Sequence, residues 1–534
     1  MARIDRKTRP TTARPLRPSL RAGTRKAVRA EGPPTDEIPT WSGPDGVARE
    51  TAQAVIDLAM RAGVAMLSTG AAAADVTATV LLLTRAYGLD SVHVDVSYTS
   101  VTVSYHRGPH ADPMTVMRVV KFRIQDFTRL ERLRELISSL ANDPRPVEEA
   151  RVEFESVVSS PHPYRRWVVT TAGGVLAAGA AGLLGAGPFI VLLSFFTALL
   201  VKRVQNMLSN AGVTSFFSQT IGAAIPTLVA TAVVFAQSKG LTFFGDVSPS
   251  LIVAAGIVLL LSGMSVVGTA EDAIEGYYVT AAARAFEVVV LSVGIAVGIS
   301  LVLSFGQRFG LPIAISSRTR LTDDIVVQLA CAAVIATAFA VGSYCRGRVV
   351  AAAAVAGVLG WAIVALGEWL DFGAITSAGL AAAVVGFVSR LLARRVGVSA
   401  LSVTTAAIVP LLPGRLAYQG ISNIVTRPDE TGVSSGLSTL AQAFGTGLAL
   451  AAGVAMGTYF AGLLVSRRKG VALRPPAAAT RRAEPRYRTS TSAILSDSGE
   501  LPVIAQRPRG TRETRETRET RETAHSRDTG GPTS

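Results

Sequence analysis

The sequence predicts a polytopic all-α transmembrane bundle of about ten helices, built as two inverted five-helix halves and preceded by a small cytoplasmic α+β domain. Three observations carry this expectation. From about Trp167 to about Leu464 the chain is a series of apolar runs near 20 residues long, the length a helix needs to cross hydrocarbon. Charge collects at the ends of those runs and in the two tails. A glycine-containing segment after the fourth run recurs after the ninth.

Composition alone decides little, because 534 residues with 49% hydrophobic and 17% charged side chains also suit several soluble domains. Distribution decides. Runs such as Leu251 to Gly268 and Ala285 to Phe305 far exceed the roughly 4 to 8 residues of a buried strand. The net charge of +15 sits in the tails and at run ends, where retained positive charge orients spanning helices, so it does not argue for a nucleic-acid protein. Cys331 and Cys345, the two cysteines, form no CxxC pattern and suit a reduced, structural role.

Residues 1–44 are basic and proline-containing, lack the apolar core of a signal peptide, and read as a disordered cytoplasmic tail. Residues 45–165 form the α+β domain. Helical spacing runs through Glu50–Gly70 and Ala73–Gly88, with Gly70 and Gly88 placed to end the two helices. HVDVSY, SVTVSYHRG and MTVMRVVKF then read as strands, and ERLRELISSL returns to helix. His93, His106, His110 and His162 fall in or beside the strands without metal-ligand spacing, and Ser68 lacks a nucleophile elbow. Regulation, assembly or a cytoplasmic vestibule suits this domain better than catalysis.

The expected spans are 168–185, 187–201, 218–237, 249–268 and 286–305 in the first half (166–308), then 325–343, 349–367, 373–390, 398–412 and 436–464 in the second (322–465). Arg165, Arg166, Lys202, Arg203, Arg284, Arg346, Arg348, Arg390, Arg394, Arg395, Arg467, Arg468 and Lys469 then share one side, which puts both termini in the cytoplasm of a multi-pass cell-membrane protein. The segment Gln307 to Asp324 carries three arginines against this trend, together with Asp323 and Asp324. Residues 466–534, ending in RETRETRETRET, read as a disordered cytoplasmic tail.

The internal similarity points to a site. Gly263 precedes Asp272 by nine residues and Gly414 precedes Asn423 by nine, after five spans in one half and five in the other. Inverted repeats with interrupted helices are a way to build alternating-access transporters, with solute held near the breaks. Ser262, Gly263, Pro410, Pro413 and Gly414 are the expected broken-helix positions, where backbone polar groups become available to a solute. Asp272, Glu275, Arg284, Glu287, Tyr418 and Asn423 are the expected substrate or coupling residues. Asp272 is the better choice for a solute amino group or proton, while Arg284 and Glu287, three apart, are expected to pair on one helix face.

These residues make residues 48–465 resemble the threonine/serine exporter family: a soluble N-terminal domain, a five-helix part ending in Gly263, Asp272, Gly276, Arg284 and Glu287, and a second containing PLLPG and Tyr418. The resemblance implies proton-coupled secondary export of small hydroxy amino acids such as threonine and serine. Thr77 stands where the resemblance implies an acid, and Ser262 where it implies a proline. The alternatives are a channel or lipid scramblase, or a membrane receptor with a cytoplasmic sensing domain. No catalytic motif is assembled and no phosphate-binding loop is present, so neither an enzyme nor a cofactor or metal is expected. The expected partners are a small amino acid, protons and the lipid bilayer, with a homo-oligomer left open and no specific nucleic acid.

Overall fold

The computed structural model describes residues 47–107, 112–120, 123–240, 250–260, 263–308, 322–426 and 429–469. It opens with α1 (Arg49–Ser68) and α2 (Ala73–Ala86), followed by β1 (Val92–Val96), β2 (Ser100–Tyr105) and β3 (Met114–Val119), then α3 (Phe127–Asn142) and α4 (Val147–Ser159). Helix α1 buries Val55, Ile56, Ala59, Met60, Met66 and Leu67, the stripe its periodicity predicts. Gly70 and Gly88 follow the two helices with φ of +100° and +79°, a region costly for side-chain-bearing residues. The sheet is antiparallel in the order β1-β2-β3, with Val94 opposite Val103 and Val103 opposite Val116. Val101, Val103 and Tyr105 of β2 are buried in the same core as α1.

The rest is helical: α5 (Arg166–Leu183), α6 (Pro188–Asn210), α7 (Ser215–Ser238), α8 (Ser250–Leu260), α9 (Gly263–Ile274), α10 (Tyr278–Arg308), α11 (Ile325–Gly342), α12 (Gly347–Trp369), α13 (Ala374–Val396), α14 (Ala400–Ile408), α15 (Gly414–Thr426) and α16 (Glu430–Lys469). Among the described residues seven helices are long and apolar enough to cross a membrane: α6, α7, α10, α11, α12, α13 and α16. An eighth span results if α14 and its 3-10 extension are counted with α15, from which they are bent by 44°. The chain is a multi-pass membrane protein.

Two of the ten expected spans are not among these. One is 168–185, which is α5, a helix of 18 residues rich in glycine and alanine that starts on an arginine. The other is 249–268, of which α8 and the start of α9 are described and residues 261–262 are not. Several helices are longer than their apolar runs. Helix α6 continues to Asn210, and α10 starts at Tyr278, because polar side chains near its start find partners in the N-terminal region.

Element boundaries recur along the chain. Helices α11, α12 and α13 begin 159 positions after α5, α6 and α7 (166 and 325, 188 and 347, 215 and 374). The residues with positive φ that follow α5 and α6, Gly185 and Gly212, have counterparts in Tyr344 and Asp371 at +59° each. Neighbour pairs recur as well: α5 on α6 and α11 on α12, α6 on α7 and α12 on α13, α7 on α10 and α13 on α16. The last two crossings are made by glycines in the same relation. A Cβ at Gly298 would collide with the Thr220 carbonyl on α7, and one at Gly457 with the Ala383 carbonyl on α13. Gly294 and Gly453 stand one turn earlier on their helices, and such pairs let backbones touch in lipid.

Candidate functional site

A cavity of about 1240 Å³ lies in the middle of the bundle. Its walls come from α5, α6, α9, α10, α11, α12, α13, α15 and α16, and they are mostly Val, Leu, Ala and Ile. Both segments expected to be interrupted reach it: Met264, Ser265 and Val266 at the start of α9, and the run Val409 to Ala417 around the bend between α14 and α15. Pro410 has no amide hydrogen and Pro413 none either, so the chain cannot continue the hydrogen-bonding of α14 through this stretch. The expected residues Pro410, Pro413 and Gly414 therefore line the cavity. Ser262 lies outside the described residues, and Gly263 is the first residue of α9. Hydroxyls of Ser265, Ser292, Ser300, Ser304, Ser377 and Thr446 are among the cavity's neutral polar groups, and Lys202, Glu368 and Arg415 are its charged ones.

The backbone of α8 at Leu260 is held by side chains. Gln219 on α7 donates from Nε2 to the Leu260 carbonyl at 2.5 Å and accepts from Gln205 Nε2 of α6 at 3.0 Å. The glutamine pair thus ties α6 and α7 to the backbone of α8 inside the bundle.

The expected charged residues form a second constellation, where the N-terminal region meets α9 and α10. Asp272 is fully buried, with Oδ2 3.0 Å from Arg284 Nη1. The amide of Ala73, first residue of α2, faces the same carboxylate without closing a well-formed hydrogen bond. The expected Arg284 to Glu287 pair is not the one formed. Arg284 turns to Asp272, and Glu287 accepts the hydroxyl of Tyr98 from the β1–β2 turn. The reason is burial: a carboxylate with no exposure needs a cation more than one that a phenol can reach. Arg123 stacks on the Tyr98 ring at 4.4 Å and donates to the Tyr98 carbonyl, while Thr280 Oγ1 donates to the Val96 carbonyl at 3.1 Å. Burial and hydrogen bonding to Glu287 push the Tyr98 phenol up to about 12.

Glu275 stands apart from this pair, in an acidic group with Glu271, Asp272 and Asp75, of which Asp75 bonds Arg134 at 2.5 Å. Tyr418 is buried against α8 and α10 rather than on the cavity wall, and Asn423 is half-buried off it. Tyr98, Arg123, Gln219 and the cavity-lining Lys202 were not singled out by sequence as site residues. The first two belong to another region of the chain, and only the fold brings them to α10; a glutamine within one apolar run and a lysine at the end of another were the available signals for the others.

Residues 57–306 match the family described as "Putative threonine/serine exporter" and residues 328–460 match "Threonine/Serine exporter, ThrE". A "Probable threonine/serine exporter" of Mycobacterium tuberculosis is 33% identical over 452 residues, covering 83% of this chain and 83% of that protein. The chain belongs to the threonine/serine exporter family. A second family member, the "Threonine/serine exporter" of Corynebacterium glutamicum, is 32% identical over 444 residues, covering 83% of this chain and 88% of its own. The two exporter-family matches divide between 306 and 328, an interval that runs from the last turn of α10 into the first turn of α11. No solved structure matches this exporter-family chain.

Proposed function

We propose that this protein exports small hydroxy amino acids, threonine and serine, from the cytoplasm by proton-coupled alternating access between two inverted five-span halves. The observation that carries the reading is the cavity reached by both segments expected to be interrupted, in a chain whose relatives are named threonine/serine exporters. Spans would be α5, α6, α7, α8 with α9, and α10 in one half, and α11, α12, α13, α14 with α15, and α16 in the other. The 159-residue recurrence of helix starts and the repeated glycine crossings support two related halves. An odd number of spans in each would give the halves opposite orientation, with the N-terminal region and both termini in the cytoplasm.

In this mechanism the solute enters from the side covered by the N-terminal region and meets the bend at Pro410, Pro413 and Gly414. Ser262, Gly263, Tyr418 and Asn423 would belong to the same two segments, the last two by holding α15 in place. Asp272 and Arg284 would couple proton movement to closure, because their pair joins α9 to α10 at the junction with the N-terminal region; Glu287 and Glu275 would flank it.

The test is efflux of preloaded labelled threonine and serine from proteoliposomes of known orientation, with and without an inward proton force. Saturable efflux that accelerates with that force is expected. Flux no greater than in empty liposomes, from folded and oriented protein, would sink the substrate assignment. Non-saturable ion or lipid movement would favour a channel or scramblase.

A further inference from the structure

One charge on the cavity wall is explained by neither break. Lys202 stands within α6, so its Cα is about 20 Å from the Pro188 end and about 12 Å from the Asn210 end at the usual rise per residue. It lines the central cavity. Among the described residues it makes no ion pair, and Glu368, which lines the same cavity, makes none with it. Its surroundings are built rather than accidental. Gln205, three residues on along α6, belongs to the glutamine pair that holds the Leu260 carbonyl of α8. The position 159 residues later is Trp361, which lines the same cavity with its indole Nε1 fixed 2.9 Å from Gln328 Oε1. Two repeat-related positions thus face one cavity, one with an ammonium and the other with an indole.

Lys202 follows directly on the apolar run 187–201, and an ammonium facing a mostly apolar cavity wall is costly unless water or an anion compensates it. Arg415, the other cation on this wall, already has an interaction partner, and the rest is mostly apolar with hydroxyls and Glu368, which suits a small solute whose one anionic group meets Lys202. We propose that Lys202 binds the carboxylate of the solute in the central cavity, which rests on the reading of that cavity as the transport site. The ammonium donates to the carboxylate oxygens while the serine hydroxyls meet the neutral polar part. Release follows when the cavity opens and water replaces the carboxylate.

The test uses the full-length protein in proteoliposomes with L-threonine, L-threoninamide, which lacks the carboxylate, and L-lactate, which keeps it but lacks the amine. The wild type should prefer threonine to its amide. Lys202→Met should raise KM for threonine roughly tenfold to hundredfold with little change in kcat and erase the preference, and Lys202→Arg should restore both. A wild type that handles threonine and threoninamide alike overturns the proposal, whether or not the Met variant folds. So does an unchanged KM in a folded Lys202→Met protein. A wild type that moves no threonine, yet is stabilised against heat by lactate only while Lys202 is present, removes the amino-acid reading and leaves the carboxylate site standing. Absence of stabilisation by any carboxylate, together with absence of threonine flux, overturns both.

Discussion

Tyr98, in the turn between β1 and β2, donates its hydroxyl to Glu287 on α10, a residue 189 positions further along the chain. With Thr280 bonded to the Val96 carbonyl and Arg123 stacked on the same tyrosine, the turn is fastened to the first part of α10 at three points. The contact is polar and specific, which makes it open to single-atom tests.

Tyr98→Phe removes the donor and keeps the ring for Arg123. Leaving Glu287 without that partner should cost about 1 to 3 kcal/mol. Threonine flux should fall more than stability does, and Tyr98→Ala should lower both. Equal flux in wild type and Tyr98→Phe, measured with labelled solute, would show that the turn does not act on α10.

Asp272→Asn leaves the Arg284 guanidinium buried beside a neutral amide, a loss of about 3 to 5 kcal/mol where a buried pair is broken from one side. Arg284→Gln should do similar harm. The double variant should melt above either single one, since it removes both charges together. Additive losses would mean that the two residues act separately.

A Cβ at Gly457 or Gly298 would collide with backbone carbonyls of the neighbouring helix. Gly457→Val and Gly298→Val should each cost about 1 to 3 kcal/mol or more, because backbone cannot move aside as a side chain does. Gly173→Ala, with nothing within 4 Å of the added methyl, should be neutral or slightly stabilising. Thermal melts in detergent distinguish the three.

Glu275 lies past Ile274, where α9 ends, and loss of water around its carboxyl, followed by the neighbouring acids Glu271, Asp75 and Asp272, pushes it from 4.5 up to about 8. A carboxyl raised in the folded protein holds its proton there after the unfolded chain has released it. Its stabilising contribution is therefore complete below pH about 4.5 and is lost as the pH climbs to about 8. The melting temperature should fall across that window, and Glu275→Gln should flatten the fall. The same slope in the variant would assign the effect to other groups.

Much of the N-terminal region was legible in the sequence because its signals are local. Gly70 and Gly88 end helices as expected, and the three alternating runs are β1, β2 and β3. The breaks at Pro410, Pro413 and Gly414 were legible for the same reason, since proline and glycine act on their own backbone. Helix ends were less so. Tyr278 to Glu287 reads as too polar for a buried helix start until Val96 and Tyr98 are known to stand beside it. The partner of Arg284 was misjudged because spacing along one helix favours Glu287, whereas Asp272 arrives from the preceding helix, fully buried. Lys202 drew notice only as a topological charge, since its place on the cavity wall depends on eight other helices.

The glycine crossings between α7 and α10 and between α13 and α16 have a mechanical consequence. Helices in backbone contact cannot slide without separating, so each pair behaves as one stiff strut. Work done by a driving gradient then has few places to be absorbed, and the 44° elbow between α14 and α15 is one that can flex. Spin labels across either strut should keep their spacing through a transport cycle, while a pair spanning the elbow should report the stroke.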